Sequence, residues 1–389
     1  MKKVIIITAR AGFPNGYGAS SIIRKYTKGF YSNGYNVHVM LLRPSEYCEN
    51  QMNYDIKGNY KEATFEYMGE TVLSPKTAVQ RMLIYGIGLM RCCGYLLNHR
   101  REIEVAFFYS PDYLFSVSVI TALCRLLDIL CIGIKTESSF CDIQRTRKKT
   151  WKIAEKFIYT GFDKMVVISN YIKKQVEQFG YSKTITVLPI VVDEDMFVGK
   201  EVERKKEIIY MGALGHKEEI HALLCIAQYV EKNHQDWKLV IIGGTAERGG
   251  CGELQKHISV EWLGRLTYDC LAERLVKAGI MVLPRSKQEY SNAGFPIKLG
   301  EYLLTGAPVL ATDVGEISHY LKDRKDLYLV SPDNMEELLL KLEYIICHYE
   351  EALKVGNEGK LTAIKLFGSR RICEEMLESA FREDKNNGN

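Results

Sequence analysis

The sequence predicts an α/β protein built from two doubly wound, Rossmann-like domains facing one another across a cleft. Three observations carry that reading. Short β-branched runs alternate with segments of helical periodicity along nearly the whole chain, the signature of parallel strands joined by crossover helices. The alternation comes in two series, separated by a charged run that loses periodicity, IVVDEDMFVGKEVERKK at 190–206. A chain of 389 residues exceeds what one small core accommodates. With 47% hydrophobic and 26% charged residues, the composition excludes a fibre and a mostly disordered chain. The alternative, a single large α/β domain without a cleft, is disfavoured by the charged run near the midpoint.

The first series opens with Val4-Ile5-Ile6-Ile7, a run of the kind buried on both faces of a parallel sheet. A breaker-rich loop follows at 11–18. Ile22, Ile23, Tyr26, Phe30 and Tyr31 then recur at helical spacing until Asn33-Gly34 stops the helix. With the strand at 37–41 this is a βαβ unit, which implies a right-handed crossover. Strands at 105–109, 129–134, 165–168 and 186–188 alternate with helices at 111–127, 151–162 and 170–179. Residues 1–189 are therefore the first domain and 190–206 the hinge.

The second series has strands at 208–211, 238–242, 260–263, 280–283 and 309–311. Its helices fall at 220–233, 271–278, 295–304 and, as one long helix, 335–349. Residues 207–364 form the second domain, and 365–389 are expected to return to the first as a helix. Ligands of such sheets bind outside the carboxyl ends of the strands, so the cleft is the expected site.

A formal charge of +4 gives no reason to expect nucleic acid. The 11 cysteines are scattered without zinc spacing, and Lys2-Lys3 precede too few apolar residues for a signal-peptide core. The apolar stretches 82–97 and 114–134 are broken by Arg91, or by Arg125 and Asp128, short of the roughly 20 residues that span a bilayer. A soluble, reduced, cytoplasmic protein is expected.

The segment most suggestive of chemistry is 296–312, PIKLGEYLLTGAPVLAT, preceded by Leu283-Pro284-Arg285-Ser286 and a polar turn at 291–294. Pro296 suits the first position of a helix, whose free N–H groups and positive end make a seat for phosphate. Glu301, a turn and a half in, is placed to accept hydrogen bonds from paired hydroxyls, as on a ribose. Lys298 is placed to meet phosphate charge. The bland alternative is an ordinary exposed Lys–Glu pair at i, i+3.

The longer phrase PIKLGEYLLTGAPVLATDVGEI resembles the nucleotide-sugar-binding segment of retaining glycosyltransferases with the GT-B fold, in particular glycosyltransferase family 4. Phe162-Asp163-Lys164-Met165-Val166-Val167-Ile168-Ser169 with Tyr171, the run from Leu188-Pro189 to Asp193 and Phe197, and Tyr210-Met211-Gly212-Ala213-Leu214 resemble other segments of that family in the same order. The likeness runs from about residue 1 to residue 345. It implies that Glu301 is the second Glu of an E-x7-E motif and binds the nucleotide ribose, while the first Glu falls on Ala293. A subgroup making bacterial capsule and other surface polysaccharides has a similar P-x-K-x-x-E-Y version, with Lys298 as its recurring lysine. The family's basic pair in G-R-L-x-x-x-K-G becomes Ala213 and, one position early, Lys217. Lys217 then keeps the phosphate role, and Arg285 and Lys298 are candidates for the missing charge. The resemblance further implies donor contacts at Gly16, Gly18, Gly212, Gly294 and Phe295, and acceptor contacts at Arg24 and Glu137.

The implied reaction needs no enzyme nucleophile, no cofactor and no metal, since the departing diphosphate helps deprotonate the acceptor and charge stabilisation does most of the catalysis. The basic run 145–152 with Trp151, Ile153, Phe157 and Ile158 reads as a membrane-surface helix, suited to a polyprenyl-linked acceptor, or as a solvated helix face. The expected function is a metal-independent, retaining hexosyltransferase acting from a nucleotide-sugar on a glycan or lipid-linked glycan. A non-catalytic nucleotide-sugar-binding partner is the rival that Ala213 and Ala293 motivate. A nucleotide-sugar epimerase lacks evident acid–base groups, and a dinucleotide oxidoreductase lacks G-x-G-x-x-G.

Overall fold

The structure is a computed structural model that describes residues 2–382 except 10, 17, 50, 138–148, 199–202, 213, 215–216, 245–250 and 265. The chain divides into two compact units, one of Met1–Val191 with Gly368–Asn389 and one of Val192–Phe367.

Unit 1 contains β1 (Lys3–Thr8), α1 (Gly18–Ser32), β2 (Asn36–Leu41), β3 (Lys57–Tyr60), β4 (Ala63–Tyr67), α2 (Ala78–His99), β5 (Ile103–Tyr109) and α3 (Leu114–Leu126). It continues with β6 (Leu130–Lys135), α4 (Lys149–Thr160), β7 (Lys164–Val167), α5 (Asn170–Gln178) and β8 (Ile185–Val187). The eight strands form one sheet in the order β3-β4-β2-β1-β5-β6-β7-β8, parallel except for the β3–β4 pair. Val4 to Ile7 are fully buried at its centre, which explains why the run is apolar without alternation. α1 turns Ile22, Ile23, Tyr26 and Phe30 inward, and the Phe30 ring stacks on Phe107 of β5 at 4.9 Å.

Unit 2 contains β9 (Glu207–Met211), α6 (Lys217–Asn233), β10 (Lys238–Ile242), α7 (Cys251–Leu254), β11 (Val260–Gly264), α8 (Tyr268–Leu275) and β12 (Ile280–Leu283). After it come α9 (Glu289–Asn292), α10 (Ile297–Leu304), β13 (Val309–Thr312), α11 (Ile317–Tyr320), β14 (Tyr328–Val330), α12 (Met335–Cys347) and α13 (Tyr349–Phe367). Its six strands are all parallel, in the order β11-β10-β9-β12-β13-β14. The charged run after Pro189 is partly fastened to this unit. Arg204 donates to the carbonyls of Ala278 at 3.0 Å and Thr305 at 2.8 Å, and the Val192 N–H donates to the Phe367 carbonyl at 2.8 Å.

The last helix, α14 (Ser369–Phe381), belongs to unit 1, where it packs on α1. Gly29 makes that approach possible, because a Cβ there would lie 2.2 Å from the Ser369 carbonyl oxygen and 2.5 Å from Cys373 Sγ.

Several elements depart from the sequence expectation. The helix expected over 335–349 ends at Cys347, and after a turn at His348 a further helix that was not expected, α13, runs from Tyr349 to Phe367. Pro296 is the N-cap of α10, with φ −65° and ψ 111°, and the first helical residue is Ile297. Its extended ψ excludes it from the helix, although its φ fits one. Part of the turn expected at 291–294 is the end of the short α9. The β3–β4 hairpin and α2 were not expected at all.

Candidate functional site

Each sheet changes winding direction once. In unit 2 the chain leaves β9 for β10 and β11, then returns to the other side of β9 at β12. In such sheets, segments leaving the carboxyl ends of the two strands at the reversal diverge and leave room for a ligand. Met211-Gly212 leave β9 there, Arg285 follows β12, and α10 starts nearby in sequence.

A charged cluster gathers on these segments. Tyr210, 1% exposed, donates its hydroxyl to Glu219 Oε2 of α6 at 2.7 Å. The other Glu219 oxygen stands 4.0 Å from Arg285 Nε. Lys298 places its ammonium 5.6 Å from the centre of the Tyr210 ring, within cation–π range. The adjacent turn of α10 carries Glu301, which is 7% exposed. Gly212 lets the tyrosine lie this way, because a Cβ there would fall 2.3 Å from the Tyr210 hydroxyl. Tyr302 fastens α10 to β9 by accepting from the Met211 N–H at 2.6 Å. Thr312 of β13 holds the segment after β12 by donating to the Arg285 carbonyl at 2.7 Å.

Electrostatics distinguish the members. Burial pushes the Lys298 ammonium below the ordinary lysine range; Glu219 pulls it up, Arg285 pushes it further down, and Glu301 pulls it up. Burial, with Glu219 opposite, holds the Tyr210 phenol well above its usual range, so it stays a donor. Glu219 neutralises part of the site's positive charge, which among the described side chains comes from Arg285 and Lys298. Such a set can hold an anionic group of the size of a diphosphate.

In unit 1 the reversal lies between β1 and β5. The loop after β1 is internally fastened. Ser20 Oγ donates to the Gly12 carbonyl at 2.7 Å, Arg24 to the Pro14 carbonyl at 2.6 Å, and Asn53 exchanges two 2.9 Å hydrogen bonds with the backbone of Asn15. Gly16 is required here: its φ is +154°, and a Cβ would fall 2.1 Å from Ser20 Oγ. After β5, Ser110 adopts φ 53°, an uncommon conformation for a residue with a side chain. Beside it, Lys135 pairs with Asp112 at 3.0 Å, with side chains only 5% and 8% exposed. Burial opposes the Lys135 charge, but Tyr159, Asp112 and Glu155 outweigh it and raise its pKa.

Comparison with known proteins bears chiefly on the second unit. Residues 191–362 match the family model described as Glycosyl transferases group 1. TuaH of Bacillus subtilis, provisionally named a teichuronic acid biosynthesis glycosyltransferase, is 27% identical over 45% of this chain and 47% of that protein. The chain spans about half the length of the curated relatives it matches, between 47% and 62%. A sucrose-phosphate synthase from Thermosynechococcus elongatus superposes with a TM-score of 0.70 at 16% identity, covering 97% of this chain and 98% of that one. Anabaena HepE, solved with UDP and glucose, superposes with a TM-score of 0.65 at 12% identity and the same coverage. The fold is GT-B.

Within the matched residues, the structure brings Gly212, Arg285, Lys298 and Glu301 onto neighbouring segments. Lys217 opens α6, and its side chain lies outside the described residues, as does Ala213. Gly294 has open space on its Cβ side. Phe295 is 3% exposed and packs edge-on against Tyr320 at 5.5 Å and Phe367 at 5.4 Å, so only its backbone is left for a ligand. The Lys298–Glu301 pair is not the exposed surface pair of the bland alternative, because Glu301 is buried.

In unit 1, Gly16, Gly18 and Arg24 share one loop and helix, with a guanidinium arm of Arg24 engaged by the loop itself. Gly18 meets no atom that would exclude a side chain, and Glu137 is exposed beyond β6. Of the expected membrane helix, Ile153 and Phe157 are exposed and Ile158 is core, 1% exposed. Trp151's side chain and 145–148 lie outside the described residues.

Tyr210, Glu219, Asp112 and Lys135 were missed. An acidic residue in the first turn of a helix reads as an ordinary dipole partner, so Glu219 gave no distinctive signal.

Proposed function

We propose that the chain is a retaining glycosyltransferase of family 4 that moves a hexosyl group from a nucleotide-sugar to a glycan or polyprenyl-linked glycan in bacterial surface polysaccharide biosynthesis. The observation that carries this reading is the cluster of Lys298, Arg285, Glu219 and Glu301, which falls inside the matched domain at the winding reversal of its sheet. Lys298 and Arg285, joined by Lys217, hold the donor diphosphate, with the α10 N-terminus and the backbone at Gly294 and Phe295. Glu301 accepts from the ribose hydroxyls, and Gly212 admits the nucleotide close to the backbone. UDP bound to Anabaena HepE favours UDP as the first nucleotide to try.

The bond between the anomeric carbon and the diphosphate oxygen breaks, and its electron pair leaves with the diphosphate. The acceptor hydroxyl attacks from the same face, and its proton passes to a diphosphate oxygen. The cations act on the negative charge that grows during this step, which is where electrostatic stabilisation has most effect. Because these cations are protein groups, the reaction is metal-independent in this reading. The glycine loop 11–18, Arg24 and Glu137 serve the acceptor side. The protein works in the cytoplasm, with peripheral contact to the inner face of the membrane where a lipid-linked acceptor resides. Among the described residues no helix is long and apolar enough to cross a membrane.

The test is thermal shift of the purified chain with UDP, GDP, ADP, CMP and their common sugar conjugates, followed by transfer assays with and without a chelator. A nucleotide at a hundred times its Kd stabilises by about 2.7 kcal/mol. One nucleotide family is expected to shift the melt, and Glu301→Ala to remove both the shift and transfer. No shift with any nucleotide would overturn the reading. A shift without turnover on any acceptor, joined to no donor hydrolysis, would favour the non-catalytic binding partner.

A further inference from the structure

Most of the exposed large apolar side chains described in unit 1 lie on three neighbouring helices, α2, α3 and α4. On α2, Val79, Met82, Leu83, Ile87, Met90 and Leu97 are between 40% and 74% exposed. Their spacing puts them along one side of the helix, which adjoins the side that buries Leu89, Cys92 and Leu96. At 1.5 Å per residue the stripe from Val79 to Leu97 runs about 27 Å. α3 packs on α2 and exposes Phe115 at 69%; α4 packs on α3 and exposes Ile153 and Phe157 at 58% and 59%. Among the described residues, the exposed large hydrophobics of unit 2 are Val198, Ile258, Leu340 and Leu361, which stand apart in sequence. Crossover helices of a doubly wound sheet ordinarily turn a polar face outward, so this layer is unusual.

Charge on the same layer has one sign. From Thr71 to Arg101 the chain has no Asp or Glu, but it has Lys76, Arg81, Arg91, Arg100 and Arg101. The only charged residue of α3 is Arg125. The single carboxylate of α4, Glu155, is 2% exposed, whereas Lys156 is exposed. Arg91 is answered by Glu66 and Glu70, which lie on β4 and just beyond it rather than on the helices. An apolar stripe flanked by cations, with no exposed carboxylate among the described side chains of the three helices, complements one kind of surface: apolar inside and anionic outside.

We propose that the α2–α3–α4 face of unit 1 docks on an anionic phospholipid bilayer, with α2 lying along the surface and its apolar stripe below the headgroups. Lys76, Arg125 and Lys156 meet lipid phosphates while Met82, Leu83, Met90 and Phe115 enter the acyl boundary, the arrangement of an interfacial helix. A second copy of the chain is a poorer occupant. A two-fold contact through this face would set its cations against their own counterparts, with no exposed carboxylate among the described side chains of the three helices to answer them. The inference names the surface for the peripheral contact proposed above. It does not depend on nucleotide or sugar chemistry, and its test reads lipid binding alone.

The experiment is sedimentation of the full chain with vesicles of phosphatidylcholine, and with vesicles of phosphatidylcholine mixed with phosphatidylglycerol. The expected result is partition onto the anionic vesicles, weakened by salt and lower on the neutral ones. A triple variant, Met82→Ser, Leu83→Ser and Met90→Ser, should lower the partition constant by at least about tenfold, as loss of buried apolar area demands. Because all three positions are exposed, its melting should be unchanged. The same number of serines on unit 2, at Leu340 and Leu361 with Ile258, should leave partition unaltered. No binding to anionic vesicles overturns the proposal, as does equal binding by the triple variant. A concentration-dependent dimer that the triple variant abolishes would overturn it in favour of a second copy.

Discussion

Lys298 is half-buried over the Tyr210 ring, and among the described residues it has neither a hydrogen-bond nor an ion-pair partner. A desolvated ammonium in that position costs stability, and its pKa below the ordinary 10.5 is the measure of the cost. The sign follows from proton counting. Between the lowered folded value and 10.5 the unfolded chain binds more protons, so stability rises with pH across that window and the penalty is fully present below it. At neutral pH, Lys298→Met should therefore stabilise the ligand-free protein. Replacing poorly compensated buried charge with packed apolar groups is worth about 1–4 kcal/mol in favourable cases. The same variant should lose most of the nucleotide-induced thermal shift, because an anion is what the ammonium lacks. Paired melting curves with and without UDP measure both effects. A variant that melts lower, or that keeps the full shift, would mean that Lys298 serves the fold rather than a ligand.

Helix α2 is joined to the sheet of unit 1 by an aromatic stack. His38 of β2 lies against Tyr95 at 4.7 Å, and Tyr95 against His99 at 4.1 Å, while His38 Nδ1 meets Thr64 Oγ1 of β4 at 2.7 Å. Burial lowers the His38 pKa from 6.5 to about 4; Glu66 opposes this, and Lys3 and His99 add to it. Since the folded value is depressed, the unfolded chain takes up a proton that the folded one refuses as pH falls from 6.5 toward 4, and stability is lost in that window. The loss amounts to roughly 3 kcal/mol at its limit. His38→Phe, which keeps an aromatic ring in the stack, should flatten the dependence of the unit 1 melting temperature on pH over the same range. An unchanged slope would assign acid sensitivity to other groups. The place of α2 also shows where the sequence was hard to read. Both central sheets were legible because buried parallel strands are β-branched and nearly continuous, as at Val4 to Ile7 and Ile280 to Leu283. β3 reads KGNY, with nothing apolar to announce a strand except its tyrosine. In α2 the apolar outer stripe overlays the apolar inner face, and the contrast that marks an amphipathic helix is lost. The site divides in the same way. Lys298 and Glu301 sit in a local motif, whereas the meeting of Tyr210, Glu219 and Arg285 depends on how α6 and the end of β12 dock on β9, which no short pattern encodes.

At the scale of the whole chain, unit 1 is completed only by the last helix. α14 buries Ile372, Cys373, Met376, Leu377 and Ala380, and its far end is held by Lys164, which donates to the Ser379 carbonyl at 3.0 Å. Asn33, at the end of α1, donates to the Arg370 carbonyl at 2.8 Å. Removing residues 368–389 would uncover α1 at Gly29 and strip several buried side chains from unit 1, each worth about 1.5–3 kcal/mol when fully buried. That sum rivals the net stability of an ordinary domain, about 5–15 kcal/mol. Unit 2 has its own core, formed around Ile208, Leu223, Leu239, Val282 and Leu310, and none of it comes from α14. A chain ending at Phe367 should therefore lose slow hydrogen exchange across β1 and β5 and keep it across β9 and β12. Gly29→Val in the full chain should do the same to unit 1 in milder form, since a Cβ at that position meets the Ser369 carbonyl. Loss of protection in both units on truncation would show that their folding is coupled, and protection kept in both would show that α14 adds little to unit 1.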